Sequence, residues 1–296
     1  MQDFKQISQN PRINRGMNQS ANLTDLRTKR DKIRTRNMFN GIPLGKIFVG
    51  DVFAFLDSLP ESCVDLAIID PPYNLKVAKW DTFSSKSAFL DFSFAWIDAL
   101  LPKLKPTGSF YIFNTPYNCA LFLHYLQGKA HFQNFICWHK KDGLSASKRR
   151  YNNNQESILF YTMSARDYYF DCESIRMPYD SAKRIAHASK KGIIKNGKRW
   201  YPNPNGKLCP DVWEIVSTRH KNKVNGKVVK QNHPTPKPRE MIERMIKASS
   251  KKGDLVLDLF SGSGTTSIVA RDLGRKFIGC EANKEYLDST LETIKA

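Results

Sequence analysis

The densest chemistry in the sequence is Asp70-Pro71-Pro72-Tyr73, which follows the apolar run from Cys63 to Ile69. Two consecutive prolines fix φ and remove two backbone donors, so the segment presents carbonyl acceptors beside a carboxylate. A carboxylate and a carbonyl together accept both hydrogens of an –NH2 group and leave the nitrogen lone pair free to attack. Tyr73 adds a flat face on which a base extruded from a duplex can stack. The bland alternative is a strand broken by prolines.

A second constellation, Asp258-Leu-Phe260-Ser-Gly262-Ser-Gly264-Thr-Thr266, sits where a strand gives way to a helix. Gly262 and Gly264 permit a tight turn and close backbone approach to a ligand. Position 267 is Ser, where a dinucleotide fingerprint has a third Gly or Ala, and no Lys follows Gly264, which excludes a P-loop. Seventeen residues after Gly264, Glu281 ends the next strand; an acid there can accept both hydroxyls of a ribose. A third stretch, His233-Pro-Thr235-Pro-Lys237-Pro238, is stiffened by three prolines. Its Thr235 and Lys237 could meet a carboxylate, and on chemistry alone it reads equally well as a linker.

The elements that must position these groups follow from apolar patterning. Strands are expected at 46–50, 63–69, 109–113, 132–138, 157–161, 255–259 and 276–280, and helices at 52–59, 89–104, 118–126, 238–249 and 265–273. The run 63–69 is apolar almost throughout, as in a parallel strand covered on both faces. Between Asp167 and Gln231 the periodicity fades and aromatics interleave with basic residues. Alternating strands and helices predict an α/β chain with a doubly wound, mostly parallel, Rossmann-like sheet.

Charge divides the chain in the same way. Of the net +19, residues 1–40 carry +6, 41–138 carry −1, 139–240 carry +13 and 241–296 carry +1. Near-neutral blocks flanking a strongly basic one suit a catalytic core with a polyanion-binding insert. The divisions expected are a basic, disordered extension (1–40), a catalytic half with D-P-P-Y (41–139), a basic polyanion-binding region (140–232) and a half with the glycine motif (233–296). Lys148, Arg149, Arg150, Lys221 and Lys223 are the candidate DNA contacts. The six cysteines include no C-x-x-C pair and no zinc-finger spacing to His. Neither a metal site nor a disulfide framework is expected, and a reduced cytoplasmic setting fits. No apolar run reaches the length of a membrane span.

Together D-P-P-Y, H-P-T-P-K-P and F-S-G-S-G resemble the amino methyltransferases of bacterial type II restriction–modification systems. Their order, with D-P-P-Y first, the basic region next and the glycine motif last, resembles the β class, whose sheet is circularly permuted. Asn74-Leu75, Trp80-Asp81, Tyr111-Ile-Phe-Asn-Thr-Pro116, His187-Ala-Ser189, Gly197-Lys-Arg-Trp200, Pro202-Asn-Pro-Asn-Gly206 and Lys223-Val-Asn-Gly226 are similar to the MboII-type adenine methyltransferases. The likeness runs from about Lys46 to the end.

The resemblance implies transfer of a methyl group from S-adenosylmethionine, leaving S-adenosylhomocysteine, to adenine N6 of a flipped-out base in double-stranded DNA. It implies that Asp70, Pro71, Pro72 and Tyr73 hold the target amine and base. Asp258, Phe260, Gly262 and Gly264 would cradle the methionine part of the cofactor, Glu281 its ribose and Asp51 its adenine amine. His233, Thr235 and Lys237 would lie near its carboxylate, and Asp70 borders the same site. A cognate restriction endonuclease, a homodimer and a short GAAGA-like site are further implications. Three alternatives stay open: a cytosine-N4 enzyme, which more often carries Ser in place of Asp70; an RNA- or glutamine-modifying enzyme, usually N-P-P-Y; and a DNA-binding specificity module without catalysis.

Overall fold

The computed structural model describes residues 38–39, 42–140, 148–217, 221–224, 227–230 and 236–286, with backbone alone for 38–39, 42–43, 221–224 and 227–230. Eight strands make the main sheet: β1 (Lys46–Val49), β2 (Val64–Ile69), β3 (Leu104–Asn114), β4 (His131–His139), β5 (Gln155–Thr162), β6 (Val212–Glu214), β7 (Leu255–Asp258) and β8 (Lys276–Glu281). Their spatial order is β6-β4-β5-β3-β2-β7-β8-β1. Only β5 runs against its neighbours β3 and β4; every other pairing is parallel.

Both faces of the sheet are buried because both parities of the strand residues are apolar. In β2, Ala67 and Ile69 face one core, with α1 (Val52–Ser58), α2 (Lys86–Leu100) and α3 (Pro116–Tyr125). Leu66 and Ile68 face the other, with α5 (Arg239–Ser249) and α6 (Thr265–Asp272). In α5 the buried Met241, Ile242, Met245 and Ile246 form the stripe that an amphipathic helix turns inward. The expected doubly wound sheet is what forms.

Two departures have local causes. The helix expected over 89–104 begins at Lys86, because Ser85 caps it by accepting the Ala88 N–H at 3.0 Å. It ends at Leu100, and Pro102 stands in a short 3₁₀ turn before β3. Within the stretch where periodicity faded, α4 (Ala182–Lys191), a hairpin (Ile193–Lys195 with Lys198–Trp200) and β6 are ordered. Three residues are too few for β6 to display alternation; it is held as an edge strand on β4.

Chain order leaves a switch point in the sheet. From β2 the chain moves outward to β3, whereas from β7 it moves the other way, to β8. Adjacent strands whose connections depart in opposite directions open a crevice at their carboxyl ends. β8 also lies beside β1, with Glu281 opposite Val49, so the late and early parts of the chain meet in one sheet.

Candidate active site

Four neighbouring strands deliver an acid to the same edge. Asp70 follows β2, Asp258 ends β7, Glu281 ends β8, and Asp51 lies two residues beyond β1. The two motifs, far apart in sequence, therefore face one crevice at the switch point.

The D-P-P-Y loop is held from below. Asp81 is buried, and its carboxylate accepts four backbone N–H groups: Tyr73 at 2.6 Å, Asn74 at 2.7 Å, Leu75 at 2.8 Å and Val77 at 3.3 Å. The donors converge because Asn74 and Lys76 adopt left-handed φ values of 59° and 61°. From the other side, Asn114 Nδ2 donates to the Pro72 carbonyl at 3.4 Å and Asn118 Nδ2 to the Tyr73 carbonyl at 3.0 Å. The carbonyl of Pro71 has no hydrogen-bond partner among the described residues.

Above the loop lies a cluster that sequence reasoning missed in part. Lys237 Nζ is 2.7 Å from Asp70 Oδ2 and 3.5 Å from Glu156 Oε2, with its side chain 9% exposed. The Tyr73 hydroxyl lies 2.9 Å from Asp70 Oδ1 and 3.1 Å from Glu156 Oε2. Lys140 also pairs with Glu156. Burial opposes the charge on Lys237, yet Asp70 and Glu156 hold its pKa above the ordinary lysine value. Burial likewise disfavours an ionised Glu156, but Lys237 and Lys140 outweigh it and keep the carboxyl below its usual range. Burial raises Asp70, with Lys237 pulling the other way. Burial, then the charge of Asp70, pushes Tyr73 well up, so its hydroxyl keeps its proton. Nothing in the sequence flags Glu156, one of nine acids in the basic block 139–240.

The other half of the crevice is built differently. Gly262 and Gly264 take positive φ values of 47° and 69°, and the Gly262 N–H donates to Glu281 Oε2 at 2.7 Å. Glu281 Oε1 accepts the Asn283 N–H at 2.8 Å, and Asp258 accepts the Phe260 N–H at 3.2 Å. Asp51 caps α1, accepting the Phe53 and Ala54 N–H groups at 3.0 Å each. None of these three acids is in an ion pair among the described residues. Burial pushes Asp258 up to about 8 and raises Glu281. An acid-lined crevice with a glycine turn fits a cofactor carrying a ribose and positive charge. The Phe260 ring packs against Trp96 and Phe92, at centroid distances of 5.8 and 6.3 Å.

The decisive comparison is with families: a family model described as DNA methylase matches residues 64–292, from the strand before D-P-P-Y to beyond Glu281. The chain belongs to the DNA methylase family. It is 55% identical over 248 residues to the type II methyltransferase M1.MboII of Moraxella bovis, covering 83% of this chain and 95% of that protein. In fold it resembles the M1.HpyAVI–SAM complex, with a TM-score of 0.57 at 23% identity over 85% of this chain and 99% of that one. It also resembles the cytosine-N4-specific PvuII DNA methyltransferase, with a TM-score of 0.62 at 19% identity over 84% of this chain and 89% of that one. The chain is thus a DNA methyltransferase, with the fold expected of one.

In this DNA methylase the remaining candidates fall as follows. Lys148, Arg149 and Arg150 are exposed, between the end of β4 and the start of β5. Asn114 at the end of β3 is opposite Ser157, and His139 opposite Gln155, so that connection leaves the same sheet edge as D-P-P-Y. Lys221 and Lys223 lie on a hairpin strand, Lys221–Val224. His233 and Thr235 fall outside the described residues, while Lys237 sits on Asp70. No described group of three or more His, Cys, Asp or Glu could hold a metal ion, and no described helix is long and apolar enough to cross a membrane.

Proposed function

We propose that this methyltransferase acts on adenine N6 of a base flipped out of double-stranded DNA, using S-adenosylmethionine, within a restriction–modification system. The observation that carries the reading is the juxtaposition of Asp70, the Pro71 carbonyl (unpartnered among the described residues) and the Tyr73 ring with the acid-lined glycine turn across the switch point. S-adenosylmethionine supplies a methyl group on sulfonium sulfur: the amine lone pair forms the new N–C bond, the S–C electron pair stays on sulfur, and one proton leaves nitrogen. Asp70 and the Pro71 carbonyl accept the two amine hydrogens and aim the lone pair. Asp70 then stands where the departing proton is released. Tyr73 stacks on the base, and its hydroxyl stays protonated.

On the cofactor side Glu281 would receive the ribose hydroxyls and Asp51 the adenine amine, while Asp258, Gly262 and Gly264 would surround the methionine part. Alignment of nitrogen, methyl and sulfur supplies much of the rate. Asp rather than Ser at position 70 supports adenine over cytosine. Lys148, Arg149, Arg150, Lys221 and Lys223 would meet DNA. A cognate endonuclease, a homodimer and a bacterial cytoplasmic setting complete the proposal.

Long-read sequencing of DNA from cells expressing the chain tests this. N6-methyladenine at one short motif, GAAGA-like or otherwise, is the expected result. N4-methylcytosine would replace the target base and keep the chemistry. Unmodified DNA, with no cofactor binding by calorimetry, would leave only a DNA-binding module.

A further inference from the structure

The proposed amine acceptor, Asp70, already has a partner on each oxygen: Oδ1 the Tyr73 hydroxyl at 2.9 Å and Oδ2 the Lys237 ammonium at 2.7 Å. Lys237 also stands over the Tyr73 ring, 5.3 Å from its centroid, on a face where a base would stack. An incoming amine would share Asp70 with this ammonium, and a base stacked on that face of Tyr73 needs the space the ammonium fills. A buried cation left without a counter-charge is strongly unfavourable, so it needs a second acceptor within reach.

Glu156 fills that need. Its Oε2 already lies 3.5 Å from Lys237 Nζ. It occupies the start of β5, opposite Trp138 of β4, in a side chain 15% exposed. Lys140 on the same carboxylate, together with Lys237, keeps it ionised. The cluster is balanced: Asp70 and Glu156 against Lys237 and Lys140.

We infer that Glu156 is a positioning residue that takes Lys237 over from Asp70 when the target amine arrives, so that Asp70 is masked by Lys237 in the free enzyme and unmasked by the substrate. The inference rests on the methyl-transfer reading above. It gives Lys237 a place on the target side of the crevice rather than at the cofactor carboxylate.

Epistasis tests it. The probes are tritiated S-adenosylmethionine and unmodified plasmid DNA, with cofactor Kd from calorimetry and melting temperature as checks on folding. Glu156→Gln keeps the shape and removes the charge, so Lys237 has no ionised acceptor other than Asp70. Turnover should fall on the order of tenfold or more, with cofactor Kd within about twofold and the loss in kcat rather than KM. Adding Lys237→Met removes the masking cation and should restore at least about threefold of that loss, because the two changes act through one interaction.

Turnover of Glu156→Gln equal to the parent's would overturn the inference. So would a loss that Lys237→Met fails to relieve, since a merely structural Glu156 predicts additive damage. A large rise in cofactor Kd on Lys237→Met alone would put Lys237 at the cofactor and overturn it too. If the unsubstituted chain moves no label into DNA, the methyl-transfer reading fails and the inference with it; an active parent with the wrong epistasis removes the inference alone.

Discussion

On the target side of the crevice two carboxylates, Asp70 and Glu156, share their space with two ammonium groups, Lys237 and Lys140. On the cofactor side Asp258, Glu281 and Asp51 receive backbone N–H groups and no described cation. The first half is electrically balanced as it stands. In the second, burial raises Asp258 to about 8 and raises Glu281, so these acids ionise more readily once a counter-charge arrives. A cationic cofactor supplies what that half lacks, whereas a neutral base asks only for a rearrangement of charges already present.

Four measurements break or sharpen this contrast. The largest effect belongs to Asp70→Ala, which should lower methyl transfer on the order of a thousandfold while cofactor affinity stays within about threefold, since the lost contact belongs to the target amine. Labelled-methyl incorporation beside calorimetry reads both; near-normal turnover would remove D-P-P-Y from the chemistry. Glu281→Ala should do the reverse and weaken cofactor binding about ten- to a hundredfold, the loss of a charge-assisted hydrogen bond worth roughly 1.5–3 kcal/mol. Unchanged affinity would empty the cofactor side of its main acid.

Lys237 and Lys140 have carboxylate partners, so phosphate contacts are expected outside the crevice, at the exposed Lys148, Arg149 and Arg150. Replacing Lys148, Arg149 and Arg150 by Ala should flatten the plot of log K for DNA against log salt by up to about 2.7, at about 0.9 per phosphate contact. Cofactor affinity should not move. An unaltered slope, read from titrations at three salt concentrations, would take this segment out of the interface.

The smallest effect is on stability. A carboxyl whose pKa is raised in the folded chain contributes fully below its unfolded value and loses that contribution as pH climbs through the folded one. For Asp258 that window runs from about 3.8 to about 8. Asp258→Asn imitates the protonated form, so its melting temperature minus the parent's should grow by a few degrees from pH 5 to pH 9 without cofactor. A constant difference would mean that Asp258 ionises freely in the folded chain.

Much of the crevice was legible in the sequence because it is made of motifs that end strands. D-P-P-Y closes an apolar run, the glycine turn follows another, and Glu281 ends a third; strand alternation then sets them on one edge. What stayed hidden depends on contacts between remote segments. Glu156 is an isolated acid whose partner Lys237 lies far along the chain. Trp80-Asp81 was visible as part of a family likeness, but the task of Asp81 follows from the left-handed turns at Asn74 and Lys76. Asn114 and Asn118 read as strand-end and helix residues, and only the fold brings their amides to the Pro72 and Tyr73 carbonyls.

The pairing of β2 with β7 sets a schedule for synthesis. Asp65 Oδ2 accepts the Leu255 N–H across 190 positions, and Val256 and Leu257 lie beside Leu66 and Ala67. On the ribosome, therefore, the strand that delivers Asp70 leaves the exit tunnel long before its central neighbour exists. Until β7 emerges, β2 keeps one open edge, an arrangement that folds slowly and sticks to other chains. A nascent chain short of Leu255 carries the target-side acid and no glycine turn. The crevice is therefore finished only once the segment from Leu255 to Glu281 has been made, and until then the chain lacks the side that would hold a methyl donor.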